Sequence, residues 1–326
     1  MNADTADPEA TTPGTAGPPT DRLLELAWRY HRQWSLAADA AKKRLDGWRR
    51  RNLALLITGA LAGALATQTW PGQTGSRVLA IVAALALAFA GYIQANALKP
   101  DQTARWRRAR VASEALKAEV FRFLVGVDPY AGPDRGAVLQ AQLAVIQDRA
   151  GAQLVDQLAV QPDDRPLPTL RTVAEYVTDR ARHQADWHRK QTRVHARQGR
   201  NLRIRQLAVT VVGAVLSALS AAVPDWHLST WTAAATTVAA AIGAQLAATR
   251  HLRIAEAYAV TTDQLDRLIA GFDPASATPA QQALFVTAVE RVLADQNNGW
   301  TDLLSSAPPS GEAEPPAGPG DRPVPE

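Results

Sequence analysis

Four long stretches without a formal charge, arranged as two pairs, constrain this chain more than any other feature. The first runs from Asn52 to Ser76, with its apolar part from Leu53 to Thr69, and the second from Val78 to Leu98. The third spans Gln206 to Pro224 and the fourth Trp226 to Thr249. Crossing a hydrocarbon core of about 30 Å takes roughly 20 helical residues, and about 17 suffice. All four qualify on length, and a short connection joins the members of each pair. The fourth is mostly Ala and Thr and would insert only marginally alone. A buried helix of a soluble bundle is the competing reading for it.

The flanks decide between lipid and core. Lys42 to Arg51 ("KKRLDGWRRR"), Lys99 to Arg110, Arg189 to Arg205, and then Arg250 and Arg253 together hold twenty Lys and Arg. The short connections "WPGQTGSR" and "PDWHLST" contain one basic residue, Arg77. Cationic loops resist translocation, so this sorting predicts both termini and the central region in the cytoplasm, with two tight turns outside. A soluble bundle has no reason to sort its charges this way. Trp70, Trp226 and Trp231 at the outer turns, and Trp48 and Trp106 among the inner basic flanks, are the expected interface anchors, since amphipathic rings favour the headgroup level. No charged, then apolar, then small pattern opens the chain, so no cleavable signal is expected. The expected location is the inner (plasma) membrane, multi-pass, in contact with anionic headgroups.

The two pairs are related. "RNLALLITGALAGALA" begins at Arg51 and "RQLAVTVVGAVLSALS" at Arg205, 154 positions on (205 − 51). Arg51, Leu53, Ala54, Gly59, Ala60, Ala64 and Leu65 recur there as Arg205, Leu207, Ala208, Gly213, Ala214, Ala218 and Leu219. A polar helix leads into each hairpin, Asp21 to Arg50 and Thr169 to Arg203. Another leads out, from about Asp101 to Val125 and Arg250 to Ala270. Both exits close on Gly-x-Asp-Pro, at Gly126 and Gly271, where a left-handed glycine cap and an Asp-Pro turn are expected. Gly136 to Ala159 reads as an amphipathic helix and Thr278 to Asn297 as a final helix opened by Thr-Pro.

The fold class is therefore all-α, a membrane protein with two transmembrane hairpins, four spans, extended by long cytoplasmic helices. The expected organisation is a disordered tail over 1–20 and a first hairpin domain over 21–132, with spans at about 53–69 and 78–98. A linker with an amphipathic helix follows over 133–168. The second hairpin domain occupies 169–302, with spans at about 207–223 and 228–248, and a disordered tail ends the chain over 303–326. Both tails are rich in Pro, Gly, Ala and acids and bury too little to offset ordering entropy. The mean hydropathy of -0.16 averages these tails with a more apolar middle.

Chemistry is sparse. The chain has no cysteine, which removes thiolate nucleophiles, thiolate metal sites and disulfides. No phosphate-binding glycine loop or catalytic triad order stands out, so no enzyme activity, cofactor or metal is expected. Glu175, Asp179 and His183 share a helical stripe, but the dense charge around them reads as a solvated ion-pair face. The basic flanks abut apolar spans, so headgroups, not nucleic acid, are their expected partner. Within the spans, Gly59 and Gly63, and Gly213 and Ser217, repeat at a spacing of four that lets helix backbones approach. Gln94, Gln245, Thr58 and Thr210 are either interhelical hydrogen-bonding groups or, in a homo-oligomer, the lining of a wet path. No span carries an Asp, Glu, Lys or Arg, which argues against a charge-relay transporter.

The stretch "YVTDRARHQADWHRKQ" (Tyr176 to Gln191), followed by a basic helix, a membrane hairpin and "RHLRIAEAY", resembles the SLATT superfamily of two-helix membrane domains. "RRARVASEALKAEVFRFLVGVDPY" after the first hairpin is similar to another branch, so the tandem would run from about Asp21 to Asp302. Where members carry a second aromatic after the Trp, this chain has His188. The resemblance implies a membrane effector of bacterial conflict systems, antiphage defence among them, that forms pores or disrupts the membrane. It also implies a trigger from a nucleotide-signal synthase or sensor protein. The alternatives are a scaffolding membrane protein that recruits cytoplasmic partners and a transporter accessory subunit.

Overall fold

A computed structural model describes residues 19–68 and 74–305. The expected tails, over most of their length, and Trp70 lie outside these residues. All regular structure among them is helical: α1 (Pro19–Gln68), α2 (Thr74–Asn96), α3 (Pro100–Val125), α4 (Arg135–Ala150), α5 (Leu154–Leu158), α6 (Val173–Tyr176), α7 (His183–Ala222), α8 (Ser229–Thr249), α9 (His251–Ala270) and α10 (Pro279–Ser305). A wide π-helical turn, Val177–Arg182, joins α6 to α7, so Val173–Ala222 is one continuous rod. Each leading arm runs without a break into its apolar segment. The two halves share a layout: α1 packs along α2 and α3, and α7 along α8 and α9. They also meet, through α1 against α8 and α3 against α10.

Local chemistry sets the helix ends. Thr172 accepts from the Glu175 amide at 3.2 Å while Glu175 Oε2 accepts from the Thr172 amide at 3.0 Å, a reciprocal cap that starts α6. Glu175 is thus committed to the helix start, and it, Asp179 and His183 are all exposed. Thr278 and Gln281 make the same box before α10, with Pro279 in its first turn. Pro100 opens α3, and Gly126, at φ 65°, closes it with the expected left-handed cap. Gly271 differs: at φ −87° it caps α9 without a left-handed turn. The expected 136–159 helix is also interrupted, at Gly151 (φ 53°), leaving α4 and the short α5. That break lets α4 lie against the first core. The residue between α8 and α9, Arg250, is left-handed without being glycine (φ 46°).

The arms have two cores. Trp28 and Trp34 of α1, Leu116 and Val120 of α3, and Leu139 and Leu143 of α4 fill the first. The second joins Phe121 of α3, Tyr176 and Val177, Leu265 of α9, and Val286 and Val289 of α10. Adjacent faces of α3 thereby serve both, which ties the halves together. In the hairpins the order inverts. The buried residues of α2 are Ala83, Ala86, Ala90 and Ile93, while Ile81, Leu85 and Phe89 point outward, Phe89 at 60% exposure. Large aliphatics outside and alanines between helices is the packing expected where lipid, not water, surrounds the helices.

Three helical stretches among the described residues are long and apolar enough to cross a membrane: Thr74–Asn96, one within Val173–Ala222 and one within Ser229–Ala270. The sequence reading expected four. The apolar end of α1 is described only from Leu53 to Gln68, so a span-length window there must take in Arg51 and Asn52 and falls short of that standard.

Candidate functional site

The hairpins close on small residues. A Cβ added at Gly59 would lie 2.8 Å from Leu87 of α2, and one at Gly63 3.8 Å from Ala83. Gly213 faces Ala235 of α8 at 3.3 Å by the same measure. Ser217 is exposed. The polar candidates separate similarly. Gln94, Thr58 and Thr210 are exposed and Gln245 is half-buried, while the Thr210 hydroxyl donates to the Gln206 carbonyl at 3.0 Å. None of these four lines the cavities formed by the arms. Gln206 lies over Gly243, its Nε2 2.7 Å from where a Cβ would be. At the hairpin ends remote from the arms, Gln68 of α1 donates to the carbonyl of His227 at 3.0 Å, joining one hairpin to the turn of the other.

Among the expected anchors, Trp226 is exposed and Trp231 half-buried, at the turn between α7 and α8. Trp48 and Trp106, both half-buried, sit where the arms meet the spans. The Arg51 guanidinium lies 4.9 Å from the Trp48 ring, and the Lys42 ammonium 5.9 Å from the Trp106 ring.

Below the hairpins lies a buried ionic cluster. The Arg180 Nε donates to Glu290 Oε1 at 3.0 Å and its Nη2 to Oε2 at 2.9 Å. Both side chains are 1% exposed. The Tyr176 hydroxyl donates to Oε1 at 2.8 Å, and the Phe121 ring lies 4.8 Å from the guanidinium carbon. Burial alone lowers the Arg180 pKa, and the Glu290 carboxylate more than reverses this, leaving it above its usual value. For Glu290 burial pushes up and Arg180 pulls further down, so the carboxylate stays ionised. Nearby on α3, burial would raise Glu114, but Arg110 and Lys117 bring it to about 2. The π turn sits where Arg180 enters the core. This cluster pins α6 and the π turn that follows it to α10.

Histidines mark two further junctions. His31 Nδ1 lies 2.9 Å from the Ser113 carbonyl and 3.1 Å from its hydroxyl, joining α1 to α3. His195 and His251 face each other through Nδ1 atoms 2.9 Å apart, joining α7 to α9 where the membrane segment ends. Burial, with Lys117 next for His31 and His251 for His195, pushes both His31 and His195 down to about 4. His251 is also lowered, chiefly by burial. These rings are neutral at pH 7, so one nitrogen of the pair donates and the other accepts. Gly199 lets α7 approach: a Cβ there would be 2.9 Å from Leu252 and 3.3 Å from the His251 Cβ.

Sequence reasoning missed these clusters. Glu290 had a signal, since Val286, Val289 and Leu293 set an inward stripe on α10 that includes position 290. The histidine pair had none, because its members are 56 residues apart.

Two apolar-surfaced hairpins on helical arms with buried ionic ties define an all-α membrane protein. Residues 176–300 match the family model described as SMODS and SLOG-associating 2TM effector domain 1, so this region is a SLATT-type domain. The match opens at Tyr176 and takes in Arg180 and Glu290. Residues 32–137 match a family described as a protein of unknown function, DUF4231. No curated protein and no solved structure matches the chain.

Proposed function

We propose that this protein is an oligomeric inner-membrane effector of bacterial conflict, antiphage defence included, that permeabilises the membrane when triggered. One observation carries the reading: the arms bury their Trp, Phe and Leu in water-type cores, whereas the hairpins turn theirs outward and bury alanine. A face of that kind persists only in lipid or against another copy. In this topology the end of α1 is a fourth span, the basic arms are cytoplasmic, and the first half is a second, diverged hairpin module. Four spans are few to enclose an aqueous path, so the path forms between copies. Gln94 and Thr58, exposed on the chain's own surface, then meet a neighbour or water instead of hydrocarbon. The effector label and the SMODS and SLOG association in the matched family's description support a trigger supplied by a separate synthase or sensor protein.

The test is induced expression with a membrane-potential dye, with and without phage challenge. Depolarisation is expected, reduced in Gln94→Leu at unchanged membrane abundance. A membrane that stays polarised under all conditions refutes pore formation. A second reading, a scaffold that recruits cytoplasmic partners, is favoured by Val155, Leu158 and Leu284, each at least 70% exposed on the arms. Partner capture without ion leakage from liposomes would select it.

A further inference from the structure

Just beneath the hairpins the arms of the two halves form a half-open chamber, with Asp39 and Lys42 exposed at its mouth. It consists of adjoining cavities of about 180 Å³ and 220 Å³ that share Lys42, Trp106, Gln191 and His195. Each is smaller than the roughly 300–1,000 Å³ usual for small-molecule sites, and the two together fall within that range. Lys42, Arg49, Arg107 and Arg110 line it, against Asp39 and Asp46. Arg110 also pairs with Glu114 at 3.0 Å, and Arg49 stands 3.7 Å from Asp46. Among the described residues the lining itself carries these four cations against two carboxylates, with Glu114 behind Arg110 as a third. Its walls also present three aromatic rings, Trp106, Trp187 and Tyr258, the last two edge to face at 5.5 Å.

Cations beside aromatic faces, in a space partly closed from water, suit one chemistry. Charge-assisted hydrogen bonds hold phosphate oxygens, and the rings take up a flat or apolar remainder. We infer that this chamber binds a phosphorylated ligand, its phosphate against Lys42 and Arg107 and its remainder against Trp106, Trp187 and Tyr258. The walls come from α1 and α3 on one side and α7 and α9 on the other, and Ala248 and Thr249 at the end of α8 reach the second cavity. A bound ligand therefore stabilises the arrangement in which the hairpins meet as they do here. A soluble organic phosphate and the headgroup of an anionic lipid offer the same chemistry at this depth. The inference goes beyond the pore reading and is independent of conductance.

The test uses the full chain in phosphatidylcholine nanodiscs, with ATP and inorganic phosphate as soluble probes in equilibrium dialysis. In parallel, phosphatidylglycerol retention is read by native mass spectrometry without soluble phosphate. Wild type should bind one of these saturably, and Lys42→Glu should weaken binding about tenfold or more. Arg182→Glu, exposed and outside the chamber, should bind as wild type does. Binding of ATP assigns a soluble ligand, and retention of phosphatidylglycerol sensitive to Lys42→Glu assigns a headgroup. Failure to bind any probe, or equal binding by folded Lys42→Glu as judged by helical circular dichroism, overturns the assignment.

Discussion

Replacing Glu290 by alanine strips the counter-charge from an arginine that is 1% exposed and held by two hydrogen bonds of 2.9 and 3.0 Å. Desolvating two charges consumes most of what their attraction returns, so the intact pair adds little over an apolar contact, yet breaking it costs about 3–5 kcal/mol. Among the described residues the Arg180 Nη1 has no hydrogen-bond partner, so no second acceptor offsets the loss of Glu290. At roughly 2–4 °C per kcal/mol for a domain of this size, the apparent unfolding midpoint of the arms should fall by about 6–20 °C. Circular dichroism melting of the detergent-solubilised full chain measures it. Arg180→Met with Glu290→Leu removes both charges together and should return to within about 2 kcal/mol of wild type, the residue being the Tyr176 hydroxyl left without its acceptor. A Glu290→Ala midpoint within about 2 °C of wild type, well below that conversion, would sink the reasoning. So would a double variant as unstable as the single.

Acid should loosen the arms in a defined window. His31 and His195, held at about 4 by burial, stay neutral in the fold, while the unfolded chain takes up protons below about 6.5. Stability from this source is complete above pH 6.5 and is lost as pH falls towards 4; midpoints that do not change between pH 7.5 and 4.5 would contradict it. Gly199→Val, whose Cβ would meet Leu252 at 2.9 Å and the His251 Cβ at 3.3 Å, should destabilise by about 1–3 kcal/mol, read by the same melting assay, whereas an unchanged midpoint would deny the close approach of α7 and α9. Because the chain has no cysteine, topology is open to single-cysteine labelling. His227→Cys, in an exposed outer turn, should react with an impermeant maleimide on intact cells, and Asp164→Cys, exposed between α5 and α6, only after permeabilisation. The reverse pattern would invert the proposed orientation.

Much of the fold was legible because it is written locally. Thr278-Pro279 and Pro100 mark helix starts, and Gly126 marks a stop, through backbone chemistry within a few residues. Gly271 resembled Gly126 in sequence but took an ordinary φ, because a cap can close without a left-handed turn when the chain beyond leads elsewhere. The break at Gly151 was hidden inside an amphipathic pattern that continues on both sides of it.

By itself the sequence determined that the chain is helical, that its apolar segments are long enough for lipid, and which ends of them are cationic. Those properties depend on composition and spacing over about 20 residues, the scale of one span. Tertiary structure alone decided which charges are buried together, since Arg180 and Glu290 are 110 residues apart and His195 and His251 are 56 apart. It also decided that the cations and rings of four separate helices face one chamber. Side chains so distant in the chain acquire a shared environment only when the helices that carry them pack, and no local pattern encodes that meeting.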